Sequence, residues 1–121
     1  MSLKVYQYSH CSTCKKALKF LTDKKIAYTP IAIVETPPTK AELTKMLSYI
    51  KKDGGSLKKL FNTSGLLYKE MKMSEKLPGL SEAEALELLA KHGKLIKRPF
   101  VVGKDFGFVG FNADYWCEKL L

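Results

Sequence analysis

The sequence predicts an α/β fold in which a helical segment is inserted into a small sheet. A strand pattern near the N-terminus runs into a Cys-x-x-Cys motif, an amphipathic helix and a second strand. The middle of the chain is helical, and the last part returns to β character before a final helix. We therefore expect one domain over residues 1–121, with a core of about 1–35 and 94–121 and a helical insert of about 36–93.

The N-terminal pattern predicts a strand followed by a helix. Residues 3–8 alternate apolar and polar side chains and contain β-forming residues, which indicates a strand. From Cys14 onward, Ala17, Leu18 and Leu21 recur at three- and four-residue spacing, which indicates an amphipathic helix. The Cys-x-x-Cys motif therefore falls at the junction of the two elements.

A second strand is predicted over residues 26–34, where β-branched and aromatic residues are frequent. Pro30 lies inside this segment and has no backbone N–H to donate to a neighbouring strand. The strand should therefore lie at an edge of the sheet or be irregular.

Two helices in the middle of the chain have sequence signals for their first turn. Thr39 with Glu42, and Ser81 with Glu84, each have the spacing of a capping box, in which the two residues bond to each other's backbone N–H groups. The first of these helices should end at Asp53–Gly55.

Short helices are predicted over residues 56–61 and 64–71. Strands are predicted over residues 100–102 and 106–109, with a turn between them, and a last helix over 112–121. Aromatic residues in or near these elements are candidates for the core, namely Tyr6, Phe20, Phe100 and Phe108.

Composition excludes several classes of protein. Of the 121 residues, 45% are hydrophobic and 27% are charged, so the chain has enough apolar surface to bury a core and is not expected to be disordered. No apolar run approaches the roughly 20 residues of a membrane span, and the start of the chain does not resemble a signal peptide. We expect a cytoplasmic protein with no membrane partner.

The chain has an excess of basic residues, and nearly all of them are lysines. The chain has 21 basic and 12 acidic residues, a net charge of +9, and Arg98 is its only arginine. Residues 1–60 hold 12 lysines against 4 acidic residues, so most of the excess lies in this half. Direct nucleic-acid binding is nevertheless disfavoured, because arginine forks and interleaved aromatic residues are missing.

Three cysteines, Cys11, Cys14 and Cys117, make an odd count in a chain without a secretory signal, so a disulfide framework is not expected. Half of a zinc site is one alternative, with Cys117, His10 or His92 completing it. No second paired ligand motif accompanies the Cys-x-x-Cys, so we predict no metal site. A second alternative is that the cysteines are simply buried in the core.

A redox pair fits the position of the motif better. At the start of a helix, unsatisfied N–H groups and the helix dipole favour a thiolate, and the pKa of cysteine falls from about 8.5 into roughly the 3.5–7.5 range. Cys11 is therefore the expected nucleophile. Cys14 lies three residues later on the same helical face, so it can attack a mixed disulfide on Cys11 and act as the resolving residue.

Residues 6–17, Tyr-Gln-Tyr-Ser-His-Cys-Ser-Thr-Cys-Lys-Lys-Ala, resemble the active-site turn of the thioredoxin superfamily. Together with the helical insert and residues 95–102, Leu-Ile-Lys-Arg-Pro-Phe-Val-Val, they resemble the family that joins glutaredoxin-linked arsenate reductases with Spx-type regulators. The resemblance implies a thioredoxin-like mixed-sheet core with an inserted helical subdomain. It also implies that Pro99 is a cis-proline facing the nucleophile.

Physical chemistry independently suggests a substrate-binding role for Arg98 and Pro99. A cis proline presents the preceding backbone at a sharp angle that suits an extended thiol substrate, and Arg98 beside Cys11 would lower the thiol pKa and bind an anion through its fork. We expect Arg98, Pro99 and Thr13 to bind the substrate. The alternatives are a surface arginine whose stem is packed and an ordinary proline at the start of a strand.

These residues predict a thiol–disulfide oxidoreductase. Its substrate would be a thiol or disulfide, or a redox protein, and no bound cofactor is expected. Glutathione or a reductant of the glutaredoxin or thioredoxin type would serve as co-substrate.

Two other functions remain open. Arsenate reductases of this family hold the oxyanion with three arginines, whereas here the other two positions fall on Asn62 and on Gly110 or Phe111. Arsenate reduction is therefore the weaker expectation. The other alternative is an Spx-like redox-sensing regulator that binds the RNA polymerase α subunit through the turn at Gly54.

Overall fold

Four short strands form one mixed sheet in the computed structural model, which describes residues 3–8 and 11–121. The strands are β1 (Leu3–Gln7), β2 (Tyr28–Ala32), β3 (Phe100–Val102) and β4 (Gly107–Val109). Their order in the sheet is β2-β1-β3-β4. β1 and β2 are parallel, whereas β1 with β3 and β3 with β4 are antiparallel. The predicted mixed sheet is thus confirmed.

Six α-helices accompany the sheet in the described part of the chain: α1 (Ser12–Asp23), α2 (Lys40–Lys52), α3 (Leu66–Glu70), α4 (Met73–Lys76), α5 (Glu82–Lys91) and α6 (Ala113–Leu120). Short 3-10 turns lie at Leu57–Leu60, Leu77–Gly79 and Gly93–Leu95. None of the helices in residues 3–8 and 11–121 has the length and apolar character that crossing a bilayer requires.

Alternate residues of the strands pack on opposite faces of the sheet. On one face, Tyr6 and Phe100 join a buried cluster with the apolar sides of α2 and α5. On the other face, Val5 and Val101 join the buried residues of α1 together with Trp116 of α6. The sheet is therefore covered on both sides, with α1 and α6 on one face and the helices between β2 and β3 on the other.

The second strand is shorter than predicted. It spans Tyr28–Ala32, although the Ile33 N–H still donates to the Gln7 carbonyl over 2.9 Å. Pro30 faces Val5 across the pair, and β2 is the edge strand that the proline suggested.

Local capping signals predicted the helix starts between β2 and β3 well. Both capping boxes form, Thr39 with Glu42 and Ser81 with Glu84. Of the two short helices, residues 56–61 form a 3-10 turn, and residues 64–71 form α3 over Leu66–Glu70. The sequence did not predict α4, because the break before it occurs at Lys72 with φ 53°, a left-handed conformation that lysine does not signal.

Of the four aromatic residues predicted to lie in the core, three do. Tyr6, Phe100 and Phe108 are buried. Phe20 is only partly buried and packs its ring edge-on against Phe111 and Trp116. It lies beside the aromatic cluster of α6 and not inside the core.

Candidate functional site

Cys11 lies at the start of α1 and serves as its N-cap. Its backbone is extended, with φ −102° and ψ 114°, and its sulfur accepts a hydrogen bond from the Cys14 N–H over 3.4 Å. The Cys11 N–H donates to the Tyr8 carbonyl over 3.0 Å, so the turn after β1 fixes the cap. The side chain is only partly buried. A cysteine thus occupies the position where Ser, Thr, Asp or Asn is usual, and its sulfur points at the free N–H groups of the helix.

The surroundings of Cys11 favour its thiolate. Burial raises the pKa of the thiol, but hydrogen bonds from the Cys14 side chain and backbone, the nearby Arg98 charge and the Thr13 N–H together outweigh burial. The pKa of Cys11 is therefore held below its ordinary value. Because the sulfur is partly exposed as well, the anion is open to reagents from solvent.

Cys14 has the opposite environment. Its side chain is fully buried, and burial, together with the hydrogen bond and charge of Cys11, raises its pKa to about 12. A backbone hydrogen bond at Tyr8 and the charge of Arg98 oppose this rise only in part. Cys14 is therefore a protonated thiol at neutral pH, beside a sulfur whose pKa is lowered, and it can donate its proton in a hydrogen bond to Cys11.

The Arg98–Pro99 peptide bond is cis, as the resemblance implied. Pro99 is buried, and its carbonyl accepts from the Gly110 N–H over 2.9 Å. Gly110 itself has φ +76°, a conformation that side chains disfavour. The Arg98 guanidinium lies over the Tyr8 ring, 4.9 Å from its centroid.

An open cavity of about 690 Å³ lies in front of Cys11. Thr13 and Arg98 line it together with Cys11, so three of the predicted site residues meet here. Lys59 and Lys97 add two more cations to the wall. Aromatic side chains form another part of the wall, namely Phe108, Phe111, Tyr115 and Trp116. A small molecule with an anionic group and an apolar part would find both kinds of surface beside the thiolate.

The positions that the resemblance paired with further arginines of arsenate reductases also line this cavity. Asn62, Gly110 and Phe111 all face it. None of them carries a cationic side chain, and Arg98 is the only guanidinium in the chain. The cationic part of the cavity wall therefore consists of one guanidinium, which can bind an oxyanion through two parallel hydrogen bonds, and two lysine ammonium groups.

Asp53 and Tyr115 line the same cavity and were not predicted from the sequence. The Tyr115 hydroxyl donates to Asp53 Oδ2 over 2.6 Å, which links α6 to the end of α2. Burial and this bond raise the pKa of Tyr115 to about 12. The two residues are 62 positions apart, so no local pattern could have joined them.

Gly54, the residue that the regulator hypothesis singled out, directly follows Asp53. It has φ +85°, is exposed, and has open space where a side chain would begin. Gly54 does not line the cavity, although its neighbour Asp53 does.

The remaining predicted residues do not gather at the cavity. Cys117 is partly buried on α6, and His92 is exposed at the end of α5. His10, the other histidine considered as a ligand, lies outside the described residues. Within residues 3–8 and 11–121, no three His, Cys, Asp or Glu side chains are arranged to hold a metal ion.

Comparisons with known proteins agree with this architecture. The chain is 46% identical over 119 residues to the uncharacterized protein YusI of Bacillus subtilis, covering 98% of each chain. A crystal structure of a possible arsenate reductase from Streptococcus mutans UA159 superimposes with a TM-score of 0.84 at 36% identity, covering 98% of each chain. The global transcriptional regulator Spx of Streptococcus agalactiae is 26% identical over 104 residues, which cover 86% of this chain and 72% of that protein.

The structural similarity confirms the thioredoxin-like fold that the N-terminal motif and the Arg98–Pro99 segment implied. The profile of the ArsC family matches residues 6–118, which include both cysteines of the motif and the cis peptide bond. The match covers nearly all of the chain, and on this basis the protein belongs to the ArsC family.

Proposed function

We propose that this protein is a thiol–disulfide oxidoreductase in which Cys11 is the nucleophile and Cys14 the resolving residue. One observation supports this most directly. Cys11 lies at the open end of the motif with a lowered pKa, whereas Cys14 is buried behind it with a pKa raised to about 12. Because their environments push the two pKa values apart, Cys11 is suited to attack the substrate first and Cys14 to attack the resulting mixed disulfide second.

In the first step, the Cys11 thiolate attacks one sulfur of a substrate disulfide. A bond forms between Cys11 Sγ and that sulfur, the substrate S–S bond breaks, and the other substrate thiolate leaves and takes a proton from water. The Cys11 sulfur then no longer carries the negative charge that contributes to the raised pKa of Cys14. The pKa of Cys14 therefore falls at the stage when its thiolate is needed.

In the second step, Cys14 loses its proton to solvent and attacks Cys11 Sγ. The Cys11–Cys14 disulfide forms, the bound half of the substrate leaves as a thiol, and the substrate has gained two electrons in total. Two thiols of a reductant must then reduce the protein disulfide. Glutathione or a redoxin of the glutaredoxin or thioredoxin type supplies these electrons, and a reducing cytoplasm is the setting we propose.

Arg98, Pro99 and Thr13 would bind the substrate at this centre. Arg98 lies on the cavity wall with Cys11, so its fork can hold an anionic group of the substrate while its charge favours the thiolate. Thr13 contributes its backbone N–H to the Cys11 environment and its side chain to the cavity wall. Pro99 would shape the backbone against which the substrate docks.

Turnover of a mixed disulfide tests the proposed function. Cys11→Ser should abolish reduction, and Cys14→Ser should stop after one step with the substrate trapped on Cys11, as seen by intact-mass spectrometry. Cys117→Ser is the matched control, since it removes the third thiol without touching the cavity, and it should turn over normally. Undiminished turnover by Cys11→Ser would reject the proposal.

Arsenate reduction is the weaker candidate within the same site. The cavity offers one arginine to an oxyanion, and lysines lack the bidentate fork that arsenate favours. Arsenate-dependent consumption of glutathione should therefore not exceed the buffer rate. A clear rate that disappears in Arg98→Ala would place arsenate reduction first.

An Spx-like role as a redox-sensing regulator is the second candidate, favoured by the exposed turn at Gly54. This turn lies beside Asp53, which itself borders the Cys11 cavity, so the redox centre and a docking turn would be neighbours. The partner would be the RNA polymerase α subunit. The Spx protein of Streptococcus agalactiae is a distant relative of this chain, at 26% identity.

A further inference from the structure

We infer, on the basis of the oxidoreductase function proposed above, that Tyr8 is a positioning residue for Arg98. Its aromatic ring holds the guanidinium beside Cys11 and so sustains the reactive thiolate. Tyr8 directly follows β1 and precedes the cysteine motif by three positions. Tyr8 itself forms no covalent bond with the substrate.

The contact has the geometry of a cation–π interaction. The guanidinium carbon of Arg98 lies 4.9 Å from the centroid of the Tyr8 ring, within the roughly 6 Å over which such pairs attract. The side chain of Tyr8 is partly buried and packs against the core cluster on the α2 face of the sheet. The ring is thus a fixed surface, and the cation above it loses part of its freedom to swing into solvent.

The backbone of Tyr8 ties the same residue to both cysteines. Its carbonyl accepts from the Cys11 N–H over 3.0 Å, and a backbone hydrogen bond at Tyr8 acts on the Cys14 sulfur. Tyr8 therefore contacts Arg98 through its ring and Cys11 through its backbone carbonyl.

An aromatic partner suits this arginine better than a carboxylate would. A carboxylate would fix the guanidinium but cancel its charge, and both the thiolate and an anionic substrate would lose a cation. The ion pairs among the described residues involve Lys4, Lys40 and Lys51, and none involves Arg98. The neutral ring face holds Arg98 and leaves its charge available to the cavity.

The test measures the pH dependence of Cys11 alkylation by iodoacetamide, quantified on the Cys11 peptide by mass spectrometry. In Tyr8→Leu the midpoint should move to higher pH, and the rate below the midpoint should fall roughly two- to fivefold. Tyr8→Phe keeps the ring and should behave like the wild type. Tyr49→Leu is the matched control, because Tyr49 is also a partly buried tyrosine packed against the same cluster, but the Arg98 guanidinium lies over the ring of Tyr8 and not over that of Tyr49.

A double-mutant comparison shows whether Tyr8 acts through Arg98. In an Arg98→Met background, Tyr8→Leu should cause no further shift of the midpoint. An equal shift in that background would overturn the inference, as would a Tyr8→Leu midpoint that matches the wild type. An ordinary thiol pKa in the wild type would instead count against the proposed function itself, so the two failures are distinct.

A second measurement uses the wild-type protein, so it does not depend on whether a variant folds. Arg98 is the only arginine, so its guanidinium Nε–H signal is unique in a ¹⁵N-edited NMR spectrum. The ring current of Tyr8 should move this proton and the Arg98 side-chain CH₂ protons upfield of their values in a short arginine peptide. Peptide-like shifts would contradict the inference.

Discussion

The Cys14 N–H group donates a hydrogen bond to the Cys11 sulfur over 3.4 Å, so the second cysteine of the motif supports the cap that the first one forms. The interaction of the Cys14 side chain with the same sulfur also lowers the pKa of Cys11. Cys14 therefore influences the ionisation of Cys11 before any disulfide has formed.

The first prediction separates these two roles of Cys14. Cys14→Ala removes the side-chain donor, so the pKa of Cys11 should rise, whereas Cys14→Ser keeps a hydroxyl donor at the same place and should keep the pKa low. Thiolate absorbance in the ultraviolet, followed against pH in a Cys117→Ser background, measures the midpoint. Identical midpoints in the two variants would show that the side-chain bond has no influence.

The second prediction concerns the fork of Arg98. Arg98→Lys keeps a positive charge near Cys11 but loses bidentate binding, so Cys11 should remain reactive while kcat/KM for an anionic disulfide falls roughly 10- to 100-fold. A small neutral disulfide is the control substrate and should lose far less. Equal losses for both substrates would mean that Arg98 does not bind the anionic group.

The sequence predicted the helices and strands best where interactions between residues close in the chain determine them. Two capping boxes and the alternation of residues 3–8 depend on neighbours within four positions. The left-handed Lys72 that separates α3 from α4 has no such signal.

The placement of Cys11 and Arg98 near each other was predictable for a different reason. Cys11 has a motif, and Arg98 is conspicuous as the only arginine and is followed by proline. Lys59 and Tyr115 reach the cavity only through tertiary packing, and one lysine among many is not distinguished by its sequence context. The residues that meet at the start of α1 could therefore be predicted, whereas most of the cavity wall around them could not.

The third prediction concerns a polar cluster between β1 and α2. Glu42 accepts hydrogen bonds from the Tyr6 hydroxyl over 2.7 Å and from Lys4 Nζ over 2.9 Å, which ties α2 to the sheet. Burial raises the pKa of this carboxyl, but Lys4, Tyr6 and the Thr39 N–H outweigh burial and lower it. Glu42→Gln should reduce the free energy of unfolding at pH 7 by about 1 kcal/mol, measured by urea denaturation.

The pH dependence gives the sign of this effect. Because the folded-state pKa of Glu42 lies below its unfolded value of about 4.3, its stabilisation is present above that pH and is lost as pH falls through the folded pKa. The difference between wild type and Glu42→Gln should therefore shrink in acid and disappear once the pH has fallen below the folded pKa. Glu70→Gln, at an exposed carboxylate with no ion pair among the described residues, should change little at either pH. A difference that persists in acid would contradict the charged network.

The fourth prediction tests the regulator alternative at Gly54. If the protein binds the C-terminal domain of the RNA polymerase α subunit through this turn, the wild type should retain that domain in a pull-down and Gly54→Arg should not. Gly54→Asn is the matched control, because asparagine tolerates the positive φ of 85° and the site has open space for a short side chain. Absence of retention by the wild type would remove this function.

A redox titration shows whether Cys11 and Cys14 form a reversible disulfide. The protein is equilibrated in thiol–disulfide buffers of known potential, quenched, and analysed by mass spectrometry for the loss of two hydrogens and the position of the disulfide. We predict a reversible Cys11–Cys14 disulfide with a midpoint within or near the roughly −270 to −120 mV span of known oxidoreductases, and a Cys117 thiol that stays free. Two thiols that remain reduced throughout that span, or a disulfide that forms with Cys117 instead, would contradict the account.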